Sequence, residues 1–410
     1  VARLNFSHGT YAQHAAIISN IRSVSPNVAI MQDLSGPKLR LGEFKEKELK
    51  KGQHVIFGSH SIPVGQPIWA WVKPGQTILI DDGLVELIAT KVHADSVEAK
   101  VTVAGTIKSH KGISLPGVAV HLGILSDKDL ADLEFGIASG VDFVAMSFVK
   151  TSFDIAHLRK QIKRLTKRHV PIVAKLETPE AMRNLNKIIE AADVVMIARG
   201  DLALNIDQAM VPIAQKNIVK KCLQLGKPVI VATQMLDSMI HNPRPTRAEI
   251  SDVSNAALDH VDAVMLSGES AFGKYPIETV QTMAKILTDA EQSSLDVYHH
   301  SERVAHALDQ ELILAHTLVH FGTHAKINGI VVSDLKFAAD ISHFRPGFNI
   351  ILATKTESEA KAAGLLWGVI PLVAKGNIIS ALKNHGLVTH GERLMDATNS
   401  KKEARIELVH

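Results

Sequence analysis

Cysteine is nearly absent from this chain of 410 residues. The single one, Cys222, excludes an intrachain disulfide framework and fits a reducing, cytoplasmic compartment. Aromatic residues make up only 4%, leaving little on which to stack bases, and a formal charge of +3 is too near balance for a nucleic-acid footprint. No run approaches the roughly 20 apolar residues of a membrane span. No signal peptide is visible at the start, although the chain opens Val1-Ala2-Arg3 without a methionine, which leaves open a targeting segment lost from view. What is present is globular: 46% hydrophobic and 21% charged residues, with length for two or three domains and a large core. Cys222 itself reads as a small buried hydrophobe on a helix.

Short apolar runs alternate with helical patterns. The runs are Val1 to Phe6, Val28 to Leu34, Phe143 to Val149, Ile172 to Leu176, Val194 to Ala198, Val229 to Ala232 and Ala263 to Leu266. Amphipathic segments such as Ser152 to Lys167 and Ile206 to Leu225 lie between them, the rhythm of a parallel α/β fold. A closed (β/α)8 TIM barrel needs eight strands. Seven are found and the chain opens directly on one, so the first β/α unit is expected to be missing from this chain. Between Gly42 and Leu115 the rhythm breaks into short alternating stretches, His54 to Phe57, Thr77 to Ile80, Leu84 to Thr90 and Val97 to Val103, which predict a small inserted β-barrel module. The charged run Phe44 to Lys51 reads as a solvated turn. From about Ser301 a long helix, Glu302 to Phe321, and strands Gly329 to Ser333, Asn349 to Ala353 and Val369 to Ala374 predict a separate carboxyl-terminal α/β domain. The expected division is 1–40 and 116–295 for the barrel, 41–115 for the insert and 296–410 for the last domain.

Polar residues past the carboxyl ends of buried parallel strands are where barrel active sites form. Here Lys175-Leu-Glu177 and Ala198-Arg-Gly-Asp-Leu202 each close an apolar run and together offer a lysine and two acids. Paired carboxylates suit a hard cation such as Mg2+, and the lysine suits a phosphate. Taken singly, a Lys-x-Glu is common on any surface and a Gly-Asp is a common turn. Other strand ends converge on the same face: Arg3 to Gly9, Asp33 to Arg40, Ala232 to Met239 and Met265 to Ser270.

Together these stretches resemble the pyruvate kinase family. The motifs are Ala2-Arg-Leu-Asn-Phe-Ser-His-Gly9, Gly36-Pro-Lys-Leu-Arg40, Asp81-Asp-Gly-Leu84, Lys111-Gly-Ile-Ser-Leu-Pro-Gly117, Lys175-Leu-Glu177, Ala198-Arg-Gly-Asp-Leu202, Ala232-Thr-Gln-Met-Leu-Asp-Ser-Met239, Asn242-Pro-Arg-Pro-Thr-Arg-Ala-Glu249 and Leu266-Ser-Gly-Glu-Ser270. They run in the family's order across barrel and insert, with a weaker likeness in the last hundred or so residues. The resemblance implies phosphoryl transfer from phosphoenolpyruvate to ADP, giving pyruvate and ATP. It assigns Glu177 and Asp201 to a divalent metal (Mg2+ or Mn2+), Lys175 to the moving phosphoryl group, and Arg3 to a forked grip on phosphate. Backbone amides near Gly200 and Asp201 would hold the substrate carboxylate. Thr233 and Ser267 match a hydroxyl relay that protonates the enolate, although a Thr or Ser at a strand end is as readily a helix cap. His8, Arg40 and Asp82 match nucleotide contacts, His8 alone being more often structural. Asn5, Ser7, Asp33 and the Leu34 carbonyl match a monovalent-cation site. Lys38 stands where potassium-dependent members carry glutamate, so its ammonium is expected to supply the charge that K+ otherwise brings, with K+ possible but not required. A homotetramer is implied by family analogy.

Four departures stand out. Leu202-Ala-Leu-Asn205 replaces the usual Leu-Gly-Val-Glu, removing a glycine and a carboxylate one turn beyond a metal ligand. Phe272 sits where a lysine or other polar residue is frequent. The insert is shorter than usual. Ser333-Asp-Leu-Lys-Phe337 replaces a Ser/Thr/Gly-rich phosphate loop, which argues against activation by fructose bisphosphate. Three readings stay open: an active kinase; a degenerate, catalytically impaired relative that binds ligand or serves as an oligomer subunit; and another Mg2+-dependent barrel enzyme of phosphoenolpyruvate or pyruvate. Arg3, Lys175 and the insert weigh against the last, because carbon–carbon chemistry needs no phosphoryl clamp.

Overall fold

The computed structural model describes residues 1–58, 61–118, 120, 122–293, 295, 310–374, 378–398 and, for the backbone alone, 405–408. In chain order the strands are β1 (Ala2–Asn5), β2 (Ile30–Asp33), β3 (Lys47–Leu49), β4 (His54–Gly58), β5 (Thr77–Ile80), β6 (Val85–Val92), β7 (Ser96–Val103), β8 (Gly105–Ile107) and β9 (Ile113–Ser114). After these come β10 (Phe143–Met146), β11 (Ile172–Leu176), β12 (Val194–Ala198), β13 (Val229–Ala232), β14 (Ala263–Met265), β15 (Gly329–Val332), β16 (Asn349–Thr354), β17 (Val369–Val373), β18 (Arg393–Asp396) and β19 (Arg405–Leu408).

Seven of these make one parallel sheet in the order β1-β2-β10-β11-β12-β13-β14, each strand beside its predecessor in the barrel rhythm. Its edges, β1 and β14, face each other across a largely apolar groove of about 1080 Å³ lined by Leu4, Ile17, Val264, Met265, Met283 and their neighbours. Side chains along a strand alternate between faces. Ile172, Ala174 and Leu176 therefore pack outward against the helices, while Val173 joins the interior cluster with Met31, Phe143, Ala145, Val194 and Met196. Continuing the inward series past these apolar layers brings Arg3, Asn5, Asp33, Ser147, Lys175 and Glu177 to the carboxyl-terminal end of the barrel. Four of the seven strands, β1, β2, β10 and β11, thus end their apolar series by presenting polar side chains to one mouth.

One close approach holds the outside of this wall. Gly136, on helix Asp127–Ala138, lies against the fully buried Gln32 of β2, and an added Cβ would sit 2.1 Å from Gln32 Oε1. Gly136→Ala is expected to destabilise the barrel by about 1–3 kcal/mol through overpacking, read as an earlier transition in scanning calorimetry. A midpoint equal to that of the parent would contradict the contact.

The insert is antiparallel: a sheet in the order β4-β7-β6-β5-β9 and a ribbon of β3 with β8 around their own apolar core. The run Phe44 to Lys51, expected as a solvated turn, carries β3 instead. Its one apolar residue in the strand, Leu49, is 1% exposed and anchors the pairing with β8, while the lysines and glutamates face water. In the last domain a parallel core β17-β16-β15-β18 ends in antiparallel β19. The expected helix Glu302 to Phe321 is seen as Gln310–Ala325, its first part, 302–309, lying outside the described residues. This domain docks below the barrel, where Leu365 enters the interior cluster from the amino-terminal side. A buried pair secures the junction: Arg345 Nη2 donates to Asp262 Oδ2 at 2.7 Å, and both side chains are under 5% exposed. Asp262 also accepts the Val229 and Trp367 amides, and the Arg345 guanidinium lies 5.6 Å from the Trp367 ring.

Candidate active site

At the carboxyl-terminal mouth lies a cleft of about 840 Å³ between the barrel and the insert. Arg3, Lys38, Arg40, Lys111, Lys128 and Lys175 line it against only three acids, Asp81, Asp82 and Asp201. His8 shares the wall, and partial burial together with Arg40, Lys111, Arg3 and Lys128 lowers its pKa, disfavouring a further positive charge where cations already crowd. Such a surface accepts a multiply charged anion.

Lys175 stands at the centre. Its Nζ donates to Ser147 Oγ at 2.7 Å and lies 3.0 Å from Glu177 Oε1 and 3.2 Å from Asp33 Oδ1. Burial alone would lower its pKa, but the Asp33, Glu177 and Asp201 carboxylates outweigh burial and hold the ammonium well above its ordinary range. Asp33 is likewise buried, yet Lys175 and Arg3 keep its carboxyl below the usual range. Arg3 places Nε and Nη2 on Asp33 Oδ2, at 2.9 and 2.5 Å, leaving its other guanidinium edge for a phosphate.

Glu177 is fully buried, and burial pushes its pKa up, the neighbouring Asp201 adding to this and Lys175 opposing it. One oxygen, Oε2, accepts the Phe148 amide at 2.6 Å; the other, Oε1, has the Lys175 ammonium 3.0 Å away. Phe148 has φ of +56°, a left-handed conformation that a bulky residue adopts only under tertiary constraint, and it is this turn that aims the amide at Glu177. Among the described residues no cluster gathers three or more His, Cys, Asp or Glu ligands. Two hard carboxylates, Glu177 and Asp201, each balanced by a single lysine ammonium rather than tied up in a network of donors, fit a divalent cation whose remaining positions are filled by substrate and water.

A family model described as "Pyruvate kinase, barrel domain" matches residues 1–280. The pyruvate kinase of Geobacillus stearothermophilus is 39% identical over 425 residues, covering 96% of this chain and 72% of the relative. That of Clostridium acetobutylicum is 38% identical, covering 91% and 83%, and that of Agrobacterium vitis 40%, covering 91% and 81%. The chain belongs to the pyruvate kinase family. Pyruvate kinase activity, transfer of the phosphoryl group of phosphoenolpyruvate to ADP in glycolysis, is its function, and it depends on a divalent metal. Nothing favours the degenerate reading, and the alternative Mg2+-dependent barrel chemistries fall with it.

The residues that resemblance to pyruvate kinase picked out are distributed unevenly. Arg3, Asn5, Ser7, His8, Lys38, Arg40, Asp82, Lys175 and Asp201 line the cleft. Ser267 lines instead the apolar groove between β1 and β14, which it shares with Arg3, Asn5 and His8. Ser267 occupies a helix N-cap position without a side-chain capping bond, its amide being held by Glu269 Oε2 at 2.7 Å. Thr233 caps no helix. It sits at φ +72°, donates its hydroxyl to the Ala232 carbonyl at 2.6 Å and accepts the Gly200 amide at 2.8 Å. The Gly200 N–H expected for a substrate carboxylate is therefore engaged by Thr233 in this structure. Arg40 donates to the His110 carbonyl at 3.0 Å.

Lys38 departs from expectation. Its ammonium, expected at the monovalent-cation group, lies 2.8 Å from Asp201 Oδ1 and 3.6 Å from Asp82 Oδ1. Charge explains the difference: Asp33 already has Arg3 and Lys175, the Leu34 carbonyl accepts from Ser147 Oγ at 2.8 Å, and Asn5 Oδ1 accepts the Ser7 amide at 3.1 Å. The less compensated negative charge is at Asp201, which the lysine therefore takes.

Sequence reasoning passed over Ser147 and Phe148, which hold Lys175 and Glu177. The signal was available, since both close the apolar run Phe143 to Val149 and the strand-end rule that found Lys175 applies equally there.

Proposed function

We propose that Lys175, Arg3, Glu177 and Asp201 form the phosphoryl-transfer centre of this pyruvate kinase, within a catalytic unit of residues 1–40 and 116–295. Residues 41–115 act as a lid and 296–410 as the carboxyl-terminal domain. The observation that carries the reading is the Lys175 ammonium, buried and kept charged by Asp33 and Glu177, facing a cleft lined by five further cations. Phosphoryl transfer is catalysed largely by positioning and by charge neutralisation. Lys175 stabilises the moving group and the free edge of Arg3 holds its oxygens. Glu177 and Asp201 hold Mg2+ or Mn2+, which when bound supplies charge neutralisation at the substrate's oxygens. Nothing in the fold demands glycine at 200, where an added Cβ would meet Thr233 Oγ1 at an ordinary 3.5 Å; the approach of the substrate carboxylate to the main chain is the remaining reason for it. Thr233 and Ser267 are the hydroxyl positions of the relay that protonates the enolate, and His8, Arg40 and Asp82 contact the nucleotide.

Activity does not require K+. Supporting this, the Lys38 ammonium is already resident in the cleft, so a fixed positive charge is present without a monovalent ion; Asn5, Ser7, Asp33 and the Leu34 carbonyl remain the group that would bind one. Fructose bisphosphate is not an activator: Asp334 places a carboxylate at the start of helix Leu335–His343, accepting the Phe337 amide at 2.8 Å where a phosphate would need that donor. A cytoplasmic homotetramer is the working form by family analogy.

The test is ADP-dependent formation of pyruvate and ATP by the purified chain with Mg2+, first in a tetramethylammonium salt and then in K+. Turnover in both, within twofold, is expected. A several-fold rise with K+ would refute the potassium-independent reading, and pyruvate without ATP would refute the assignment of the centre.

A further inference from the structure

Asn205 does something no carboxylate can do at its position. Its side-chain Nδ2 donates to two main-chain carbonyls at once, that of Glu177 at 3.0 Å and that of Asp201 at 2.8 Å. These two residues carry the acids of the site, and they leave adjacent strands. The ladder between β11 and β12 ends at the pair Leu176 and Ile197, so beyond it no sheet hydrogen bond ties the two exits together. A carboxamide nitrogen has two hydrogens, one for each carbonyl, whereas an ionised carboxylate only accepts.

We infer that Asn205 is a positioning residue that straps the backbones of Glu177 and Asp201 together and so presets the spacing of the two carboxylates for a divalent cation. This rests on the reading that Glu177 and Asp201 hold the metal. The substitution that removed an acid from the Leu-Ala-Leu-Asn stretch is then no loss to the site, because it installs a crosslink between the two strand ends. The Phe148 amide completes the arrangement by fixing the Glu177 carboxylate itself, at 2.6 Å.

The test is binding of Mn2+ alone, followed by the paramagnetic resonance of the free ion, to the parent chain, Asn205→Leu, Asn205→Asp and Glu177→Gln. Partners that orient metal ligands are worth roughly 10–100-fold in affinity, so Asn205→Leu is expected to weaken Mn2+ at least about tenfold, with its metal-free melting midpoint close to that of the parent. Asn205→Asp discriminates by sign. It keeps the shape and adds a negative charge, so electrostatics alone would tighten a cation, whereas loss of the strap weakens it; weaker binding supports the inference even if the leucine variant does not fold. Unchanged or tighter binding by Asn205→Asp overturns it. Glu177→Gln separates the two levels: if it binds Mn2+ like the parent, the assignment of the metal ligands fails, and if it loses binding while both Asn205 variants retain it, only the strap fails.

Discussion

Lys175→Met is expected to lower turnover by about 10³-fold or more at saturating phosphoenolpyruvate and ADP, the scale of removing a preorganised charge from a phosphoryl-transfer site. The ammonium cannot be replaced by solvent. It is buried, bonded to Ser147 Oγ and held between Asp33 and Glu177, and among the described cations Arg3 is paired with Asp33 and Lys38 with Asp201. The loss should fall on turnover more than on nucleotide affinity, because Arg40, a proposed nucleotide contact, is held by the His110 carbonyl and not by this cluster. Calorimetry of the same variant guards against a trivial cause, as Glu177 loses its nearest cation and the fold is expected to weaken. Lys175→Arg keeps the charge and the fold while misplacing the donors, so it too should be slow. Steady-state kinetics decides the matter: a methionine variant within tenfold of the parent would remove Lys175 from the centre.

The second large effect is mechanical. Arg345→Met is expected to destabilise the junction between barrel and carboxyl-terminal domain by about 3–5 kcal/mol, the usual result of deleting one partner of a buried ion pair. Asp262 would keep the Val229 and Trp367 amides but lose the cation that balances it in a site nearly closed to water. Scanning calorimetry should show an earlier transition, and limited proteolysis should release the last domain sooner. Adding Asp262→Asn to Arg345→Met removes the stranded charge and is expected to recover much of the loss, a coupling that a double-mutant cycle measures directly. A single-variant cost under about 1 kcal/mol would show that the apolar plug around Leu365, rather than the ion pair, holds the domains.

Much of the barrel was readable in one dimension because the forces that make it are local in pattern. Strands buried on both faces need continuous apolar runs, and β2 and β10 to β13 are such runs, so their positions followed directly. The polar residues that close β11 and β12 were legible for the same reason, which is how Lys175, Glu177 and Asp201 were found, whereas Asp33 and Arg3 took their roles from the resemblance to the family's motifs. Strand β3 was not, since a three-residue strand among lysines and glutamates has one informative side chain, Leu49, and its partner β8 lies more than fifty residues away. Ser147 and Phe148 were overlooked at a strand end that carried no acid or base.

The sequence by itself determined that this chain builds a parallel α/β barrel with an inserted β module and a further α/β domain, and that a lysine and a set of acids meet at one mouth. Periodicity and strand-end chemistry are properties of neighbouring residues, so they survive without coordinates. Only the tertiary structure decided how the charges pair. Lys38 meets Asp201 across 163 positions, Asn205 reaches back to Glu177, and Arg345 finds Asp262 from another domain. Each choice depends on which opposite charge or bare carbonyl is left uncompensated after folding, and that balance exists only once the chain is closed.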